Sequence, residues 1–300
     1  MRKAFTLVEL LVVIGIVAVL IGVLLSTFSS SSEAALSAKC MSNLRNLATV
    51  WNSQQAGSQE HIEMSLTFNS PKSKFIEKQG WISSDTRGLY PSESHQTFSP
   101  ISMYETDVDT RNYALTNGWM CAAVGHNESM FICPSHLKAI GSGVNRPCWS
   151  YLMNAYFGWD AAQGGHSYNP HIKNGNVNKG TLTNAERLLL FAEVPFRGPG
   201  EWFVLPDGNG SPTDTDAILQ YDGCNTAPTA VGKDCFNGQE NIGGNHKSGK
   251  DWFAHVAFAD GHVEKLNVTG LSASNLKQLT TWLCEGKAVA REGDDYVELK

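Results

Sequence analysis

Hydrophobic positions along the chain fall into two regimes. From Phe5 to Leu25 the sequence is an apolar run of 21 residues, uncharged from Leu10 onward, with one carboxylate, Glu9, near its start. At ~1.5 Å per residue a helix over this run is about 32 Å long, enough to span a bilayer core. Arg2 and Lys3 precede it, and the positive-inside bias then puts the N-terminus in the cytoplasm and everything after Leu25 on the far side. No convincing small-residue cleavage site follows the run, so the segment is read as retained. Beyond it the pattern becomes periodic. Leu36, Cys40, Leu44, Leu47 and Trp51 recur at spacings of four, four, three and four, which is one face of an α-helix that packs on the protein's own body. Lys39, Asn43 and Arg45 fall off that stripe. Ser29–Ser32, a poor helix stretch because serine competes for backbone hydrogen bonds, is read as a flexible joint. Gly15 and Gly22 are seven apart and do not make the G-x-x-x-G helix-packing signature.

The rest of the chain is patterned differently. Between about Gly57 and Gly180 no helical period is evident, and turn dipeptides with scattered aromatics predict irregular structure with short strands. Arg187–Val194, RLLLFAEV, followed by Pro195, reads as a buried strand. His255–Leu266, HVAFADGHVEKL, alternates on two arms about Asp260-Gly261, and this predicts a hairpin with a type I′ turn. In the segment SASNLKQLTTWLCEG, Leu276, Leu279 and Leu283 share a helical face, Ser272 or Ser274 can cap the start and Gly286 can end it. The expected fold class is α+β.

Composition narrows the function. The 300 residues carry a formal net charge of −6, without the basic face that nucleic acid requires. With 42% hydrophobic residues there is enough for a real core, and 17% charged residues with 28 Gly point to a loop-rich body. Seven cysteines, six of them beyond residue 100, suit an oxidising compartment. Cys224 with Cys235, and Cys121 with Cys133, each bracket a short loop and are the expected disulfides; an odd total leaves at least one thiol unpaired, and Cys40, apart from the other six, is the expected one.

Glu9 remains to be explained. A charge at mid-bilayer costs roughly 2.5–3.5 kcal/mol, less near an interface. KAFTLVELL, Lys3–Leu11, resembles the type IV prepilin signal: a short basic leader, a small residue, then Phe-Thr-Leu-x-Glu and an apolar helix. The departure is Ala4, where that family usually has Gly. The resemblance implies cleavage between Ala4 and Phe5 by a prepilin peptidase, N-methylation of Phe5, and a role for Glu9 in neutralising the new amine of a neighbouring subunit. Paired charges are less costly than lone ones in low dielectric, so the pair would favour assembly and set its register. A wider resemblance links AKCMSNLRNLATVW, FICPSH, SYLMNAYFGW, LLLFAEV and FADGHVEKL, in that order. It is to a group of pilin-like proteins with a C-terminal motif of His, nine residues, then Asp-Gly. Here the corresponding His is His246, but thirteen residues separate it from Asp260. Together these imply a type IV pilin-like fold: leader 1–4, transmembrane helix 5–25, amphipathic continuation 26–52 and exported head 53–300. They imply a single-pass protein of a bacterial inner membrane, N-terminus cytoplasmic, head periplasmic or extracellular. They imply a structural subunit of a type IV pilus or type II secretion pseudopilus, minor because the head is large, whose partners are other subunits, the peptidase and the bilayer. The alternative is an anchored module that captures a secreted protein or glycan.

Few residues suggest chemistry, and no enzyme is expected. Gly244–Asp251, GNHKSGKD, approaches the phosphate-binding loop, but Asp251 stands where Ser or Thr would ligate Mg²⁺ and would repel phosphate. His246, His255 and His262 cluster in sequence with Asp260, and His166 and His171 are five apart. Ligand spacing for zinc is lacking, which favours solvated or hydrogen-bonded core histidines. Asp207, Asn209, Ser211, Asp214 and Asp216 alternate oxygen ligands as Ca²⁺ sites do, yet Pro212 replaces the required Gly and no Glu closes the loop. The expectation is no cofactor, with Ca²⁺ the weak exception. The eight Trp are core residues or glycan-stacking platforms according to their exposure.

Overall fold

A computed structural model describes residues 6–57, 81–82, 107–140, 147–154, 185–194, 196, 218–219, 242–271, 289–292 and 295–298, with 275, 278–279, 282–283 and 286; side chains 23–31, 55–57, 218–219, 289–292 and 295–298 are not described. Expectations for Ala4, Phe5, the Asp207–Asp216 segment, His166, His171, Cys224, Cys235, Leu276 and the caps Ser272 and Ser274 lie outside these residues.

Helix α1 runs without a break over Leu7–Gly57. Ser29–Ser32 is therefore helical and not a joint, because serine costs only tenths of a kcal/mol per residue in a helix and the four are carried by the longer helical runs on either side. Thr6 starts the helix as a capping box. Its N–H and its hydroxyl both donate to the Glu9 carboxylate at 2.8 Å, and the Glu9 N–H donates back to Thr6 Oγ1 at 3.3 Å. Leu7 through Ile21 present exposed apolar side chains. Among the described residues no helix is long and apolar enough to cross a membrane; side-chain description of the apolar run ends at Gly22. In the second half the stripe holds: Cys40, Leu44, Leu47 and Trp51 are buried and Leu36 is half-buried. Asn43 corrects the pattern, because it is also buried. Three residues from Cys40, it sits on the same face, and its amide donates to the Ser129 and Ile132 carbonyls at 3.3 and 3.1 Å.

The middle of the chain is more helical than expected. Short helices α2 (Val108–Thr116), α3 (Trp119–Ala123) and α4 (Pro134–Ile140) flank a 3-10 turn at Glu128–Phe131. Asp107 caps α2 by accepting from the Thr110 N–H at 2.7 Å. Elements of nine, five and seven residues are too short to print a period on a sequence.

One sheet contains β1 (Tyr151–Asn154), β2 (Leu189–Glu193), β3 (Ile218–Leu219), β4 (His246–Ser248), β5 (Asp251–Phe258) and β6 (Val263–Asn267), ordered β3-β1-β2-β5-β4 with β6 also on β5. All pairs are antiparallel except β1 with β3. A separate hairpin joins β7 (Val289–Glu292) and β8 (Asp295–Glu298). The β5–β6 hairpin forms, but not with a type I′ turn. Phe258 N–H bonds the His262 carbonyl and Gly261 N–H bonds the Phe258 carbonyl. Gly261 alone of the turn has positive φ, +95°, so the loop is a three-residue turn closed by a left-handed glycine. Residues 244–251 form the β4–β5 hairpin, not a phosphate loop opening a helix. At the C-terminal end of the body, described residues from Asn275 to Leu283 are helical, with Leu279 and Leu283 buried, and Gly286 at φ +70° ends the segment.

α1 lies across the sheet. Between them and the short helices sits the core, whose largest fully buried side chains include Trp51, Trp81, Trp149, Tyr151 and Phe191. These three Trp are packing residues rather than glycan platforms.

Candidate functional site

Glu193 is the residue that needs explaining. It ends β2, a strand buried at every position, and its own exposure is 0%. A carboxylate there is tolerated only with partners. The sheet supplies them. β2 pairs with the C-terminal part of β5 through Ala192↔Val256, and β4 pairs with the N-terminal part through His246↔Phe253. β2 and β4 thus lie end to end on one edge of β5, and Glu193, His246 and His255 meet at the junction on one face of the sheet. His246 Nε2 is 2.9 Å and His255 Nδ1 3.4 Å from Glu193 Oε1, and the two imidazoles stack at 4.0 Å between centroids. The junction is tightly built. Asn245 donates to the Val194 carbonyl at 2.8 Å and accepts from the Phe196 N–H at 2.9 Å. Gly243 bonds the Glu193 carbonyl and passes so close to Val194 that a Cβ would sit 2.3 Å from its oxygen.

The opposite wall is α1 and the start of α4. Ser37 Oγ is 3.0 Å from His255 Nε2. Ser135 Oγ is 3.4 Å from His246 Nδ1. Cys133 Sγ lies 3.8 Å from His246 Nε2 and is bonded to Cys40 Sγ. The expected Cys121–Cys133 pairing is therefore wrong: Cys121 is a free, buried thiol. Cys40, expected to be the odd thiol, is the partner, because its place on the buried stripe of α1 brings its Cα within 5.0 Å of that of Cys133. Beside the centre, His136 stacks on Phe196 at 4.2 Å and its Nδ1 lies 2.8 Å from Ser150 Oγ.

Burial alone would raise the Glu193 carboxyl. The charge and hydrogen bonds of His246 and His255 outweigh it and hold the group down to about 2. Burial lowers the His136 imidazole to about 3, against the pull of Glu193. Burial, helped by Glu193, raises the Tyr151 phenol well above its ordinary value; its hydroxyl donates to the Cys40 carbonyl at 3.5 Å. The centre thus has an anionic focus in a dry setting. Ser37, His255 and Glu193 follow the order of a serine–histidine–acid triad, but Ser37 lies inside α1, where backbone N–H groups are committed to carbonyls four residues back. None is left to hold the oxyanion that acyl transfer develops.

The other sequence candidates lie elsewhere. Asp260 accepts from the His262 N–H at 3.0 Å and contacts the His262 ring at 2.5 Å at the hairpin tip, away from His246 on β4. An open depression of about 460 Å³ beside it is lined by Arg45, Thr49, Asn52, Ser53, Asp260 and Gly261, with no aromatic face for a sugar. Sequence reasoning missed Glu193 and Cys40. The signal was present for the first: an acid inside the apolar run LLLFAEV.

Residues 1–25 match the prokaryotic N-terminal methylation motif. The match supports a prepilin-like protein. No curated protein and no solved structure matches the chain. Glu9 lies at once within the residues that match the motif and in the capping box of α1.

Proposed function

We propose that the chain is a structural subunit, minor by the size of its head, of a type IV pilus or a type II secretion pseudopilus. The observation that carries this reading is the methylation motif over residues 1–25, continuous with a helix that runs from it into the head. Residues 1–4 are then the leader, removed by a prepilin peptidase that cuts before Phe5. Residues 5–25 anchor the protein in a bacterial inner membrane with the N-terminus cytoplasmic, 26–52 continue the helix, and 53–300 form a periplasmic or extracellular head. The apolar side chains from Leu7 to Ile21, exposed in the single chain, are those that lipid and neighbouring helices would cover.

The test is co-expression with an active prepilin peptidase, followed by intact mass spectrometry. The expected product lacks Met1–Ala4 and carries one methyl group on Phe5. Intact Met1 beside an active peptidase, with a known substrate cleaved in the same cells, would overturn the reading.

A further inference from the structure

Cys40 Sγ, Cys133 Sγ, a Glu193 carboxylate oxygen and His246 Nε2 lie within 4.8 Å of one another, and all four residues are buried. The geometry points to two mutually exclusive occupants of this centre: the Cys40–Cys133 disulfide, or, once that bond is reduced, a thiophilic divalent cation such as Zn²⁺ held by Cys40, Cys133, Glu193 and His246. Two sulfurs, one imidazole and one carboxylate are a complete tetrahedral donor set for zinc, and a closed one of the structural kind.

Distances favour the second occupant. With bonds of about 2.3 Å to sulfur and 2.0–2.2 Å to nitrogen and oxygen, adjacent donors in a tetrahedral site stand roughly 3.3–3.8 Å apart. Cys133 Sγ and His246 Nε2 are already 3.8 Å apart, and His246 Nε2 and Glu193 Oε1, at 2.9 Å, need to open by a few tenths of an ångström. The two sulfurs separate by side-chain rotation once the bond between them is gone.

Orientation favours it too. A metal-binding imidazole turns one nitrogen to the ion and hydrogen-bonds with the other. His246 does this, with Nδ1 toward Ser135 and Nε2 toward Cys133 and Glu193. His255 Nδ1 lies 3.4 Å from the same Glu193 oxygen and is itself held by Ser37. Glu193 Oε2 is buried with no hydrogen-bond partner among the described residues, a costly state that a cation reached by both carboxylate oxygens would relieve.

The exchange balances. A dithiol reductant passes two electrons and two protons to the Cys40–Cys133 bond and becomes a disulfide itself. The ion then takes the two sulfurs as thiolates and displaces two protons. In the reverse direction a disulfide oxidant accepts two electrons from the thiolates, takes up two protons, and the metal leaves as the bond re-forms. Reducing conditions select the ion and oxidising ones the bond, and either occupant ties α1 to the head.

The experiment uses the full chain in detergent, prepared oxidised and, anaerobically, reduced with a phosphine. Each is given Zn²⁺, desalted, and read by elemental analysis and by mass spectrometry of alkylated cysteines. The expected result is about one zinc per reduced chain, none on the oxidised chain, and, within the reduced chain, Cys40 and Cys133 alkylated markedly more slowly with zinc than without it. Co²⁺ in place of zinc should give thiolate charge-transfer and tetrahedral ligand-field bands. Ser135→Ala should weaken zinc binding by roughly tenfold or more while leaving disulfide formation intact, because it removes only the brace on His246. A reduced chain that retains no zinc, whether folded or not, overturns the proposal. So does zinc retained while Cys40 and Cys133 remain open to alkylation.

Discussion

Two buried ionisable side chains near the junction titrate in different windows, which lets acid stability tell them apart. His136 has its ordinary value of 6.5 in the unfolded chain and about 3 when folded. As pH falls below 6.5 the unfolded chain therefore takes up the proton first, and stability drops by at most about 1.4 kcal/mol per pH unit from this group. Glu193 works lower. Its folded value near 2 lies under the ordinary 4.5, so the stability it adds is whole above 4.5 and is lost only as pH falls toward 2. Between pH 7.5 and 5.5 His136 alone of these two contributes, and we expect a loss of about 1 kcal/mol from it. Urea unfolding of the full chain at the two pH values checks this, with His136→Asn expected to lose measurably less than the wild type. At this scale the sequence was half legible. His246 and His255 were read as solvated or core histidines without a choice between the two, and their partner Glu193 was not read at all, because an acid in a strand shows its neighbours only once the register brings β2 and β4 end to end on β5.

α1 is the element where sequence and structure agree most and where Glu9 has two employments. The capping box satisfies the first N–H groups of the helix within one chain, and the proposed assembly asks the same carboxylate to meet the amine of a neighbour. Substitutions separate the two. Glu9→Gln keeps the shape but removes the charge, and should sharply reduce crosslinking to other subunits while leaving membrane fractionation unchanged. Thr6→Val removes the hydroxyl half of the cap but keeps the charge, and should assemble closer to normally. Equal defects in both would assign Glu9 to capping alone. The elements that were read correctly share a physical cause. The Cys40–Trp51 stripe, the β2 run and the β5–β6 alternation are long enough for a period of 3.6 or 2 to show. α2, α3 and α4 were missed because one or two turns carry no period, and the Asp260-Gly261 turn was misread because a single left-handed glycine serves a three-residue loop as well as a pair serves a two-residue one.

At the scale of the molecule, α1 is bound to the head along one line: Glu33 to Lys138 at 2.8 Å, Ser37 to His255, Cys40 to Cys133, and Asn43 to the carbonyls before α4. The covalent member dominates. It closes a loop over a sequence separation of 93, for which the chain-entropy account gives about 4.6 kcal/mol. Cys40→Ser, or reduction in the presence of a chelator, should lower the urea stability of the full chain in detergent by about that amount, whereas Cys121→Ala should cost far less. That pairing was not legible, since Cys40 and Cys133 are distant in sequence and only the packing of α1 on α4 brings them together.

The same bond also decides how the protein carries load. A pull applied to the start of α1 and resisted at the C-terminus travels down the helix to Cys40, crosses the sulfurs to Cys133 and continues into the sheet. Everything between those two cysteines lies off that route and stays slack, so the roughly 300 Å of contour that the enclosed segment could release if drawn straight is withheld from the tether. Tension on the anchor would reach β2, β4 and β5 before it could unravel α2 or α3.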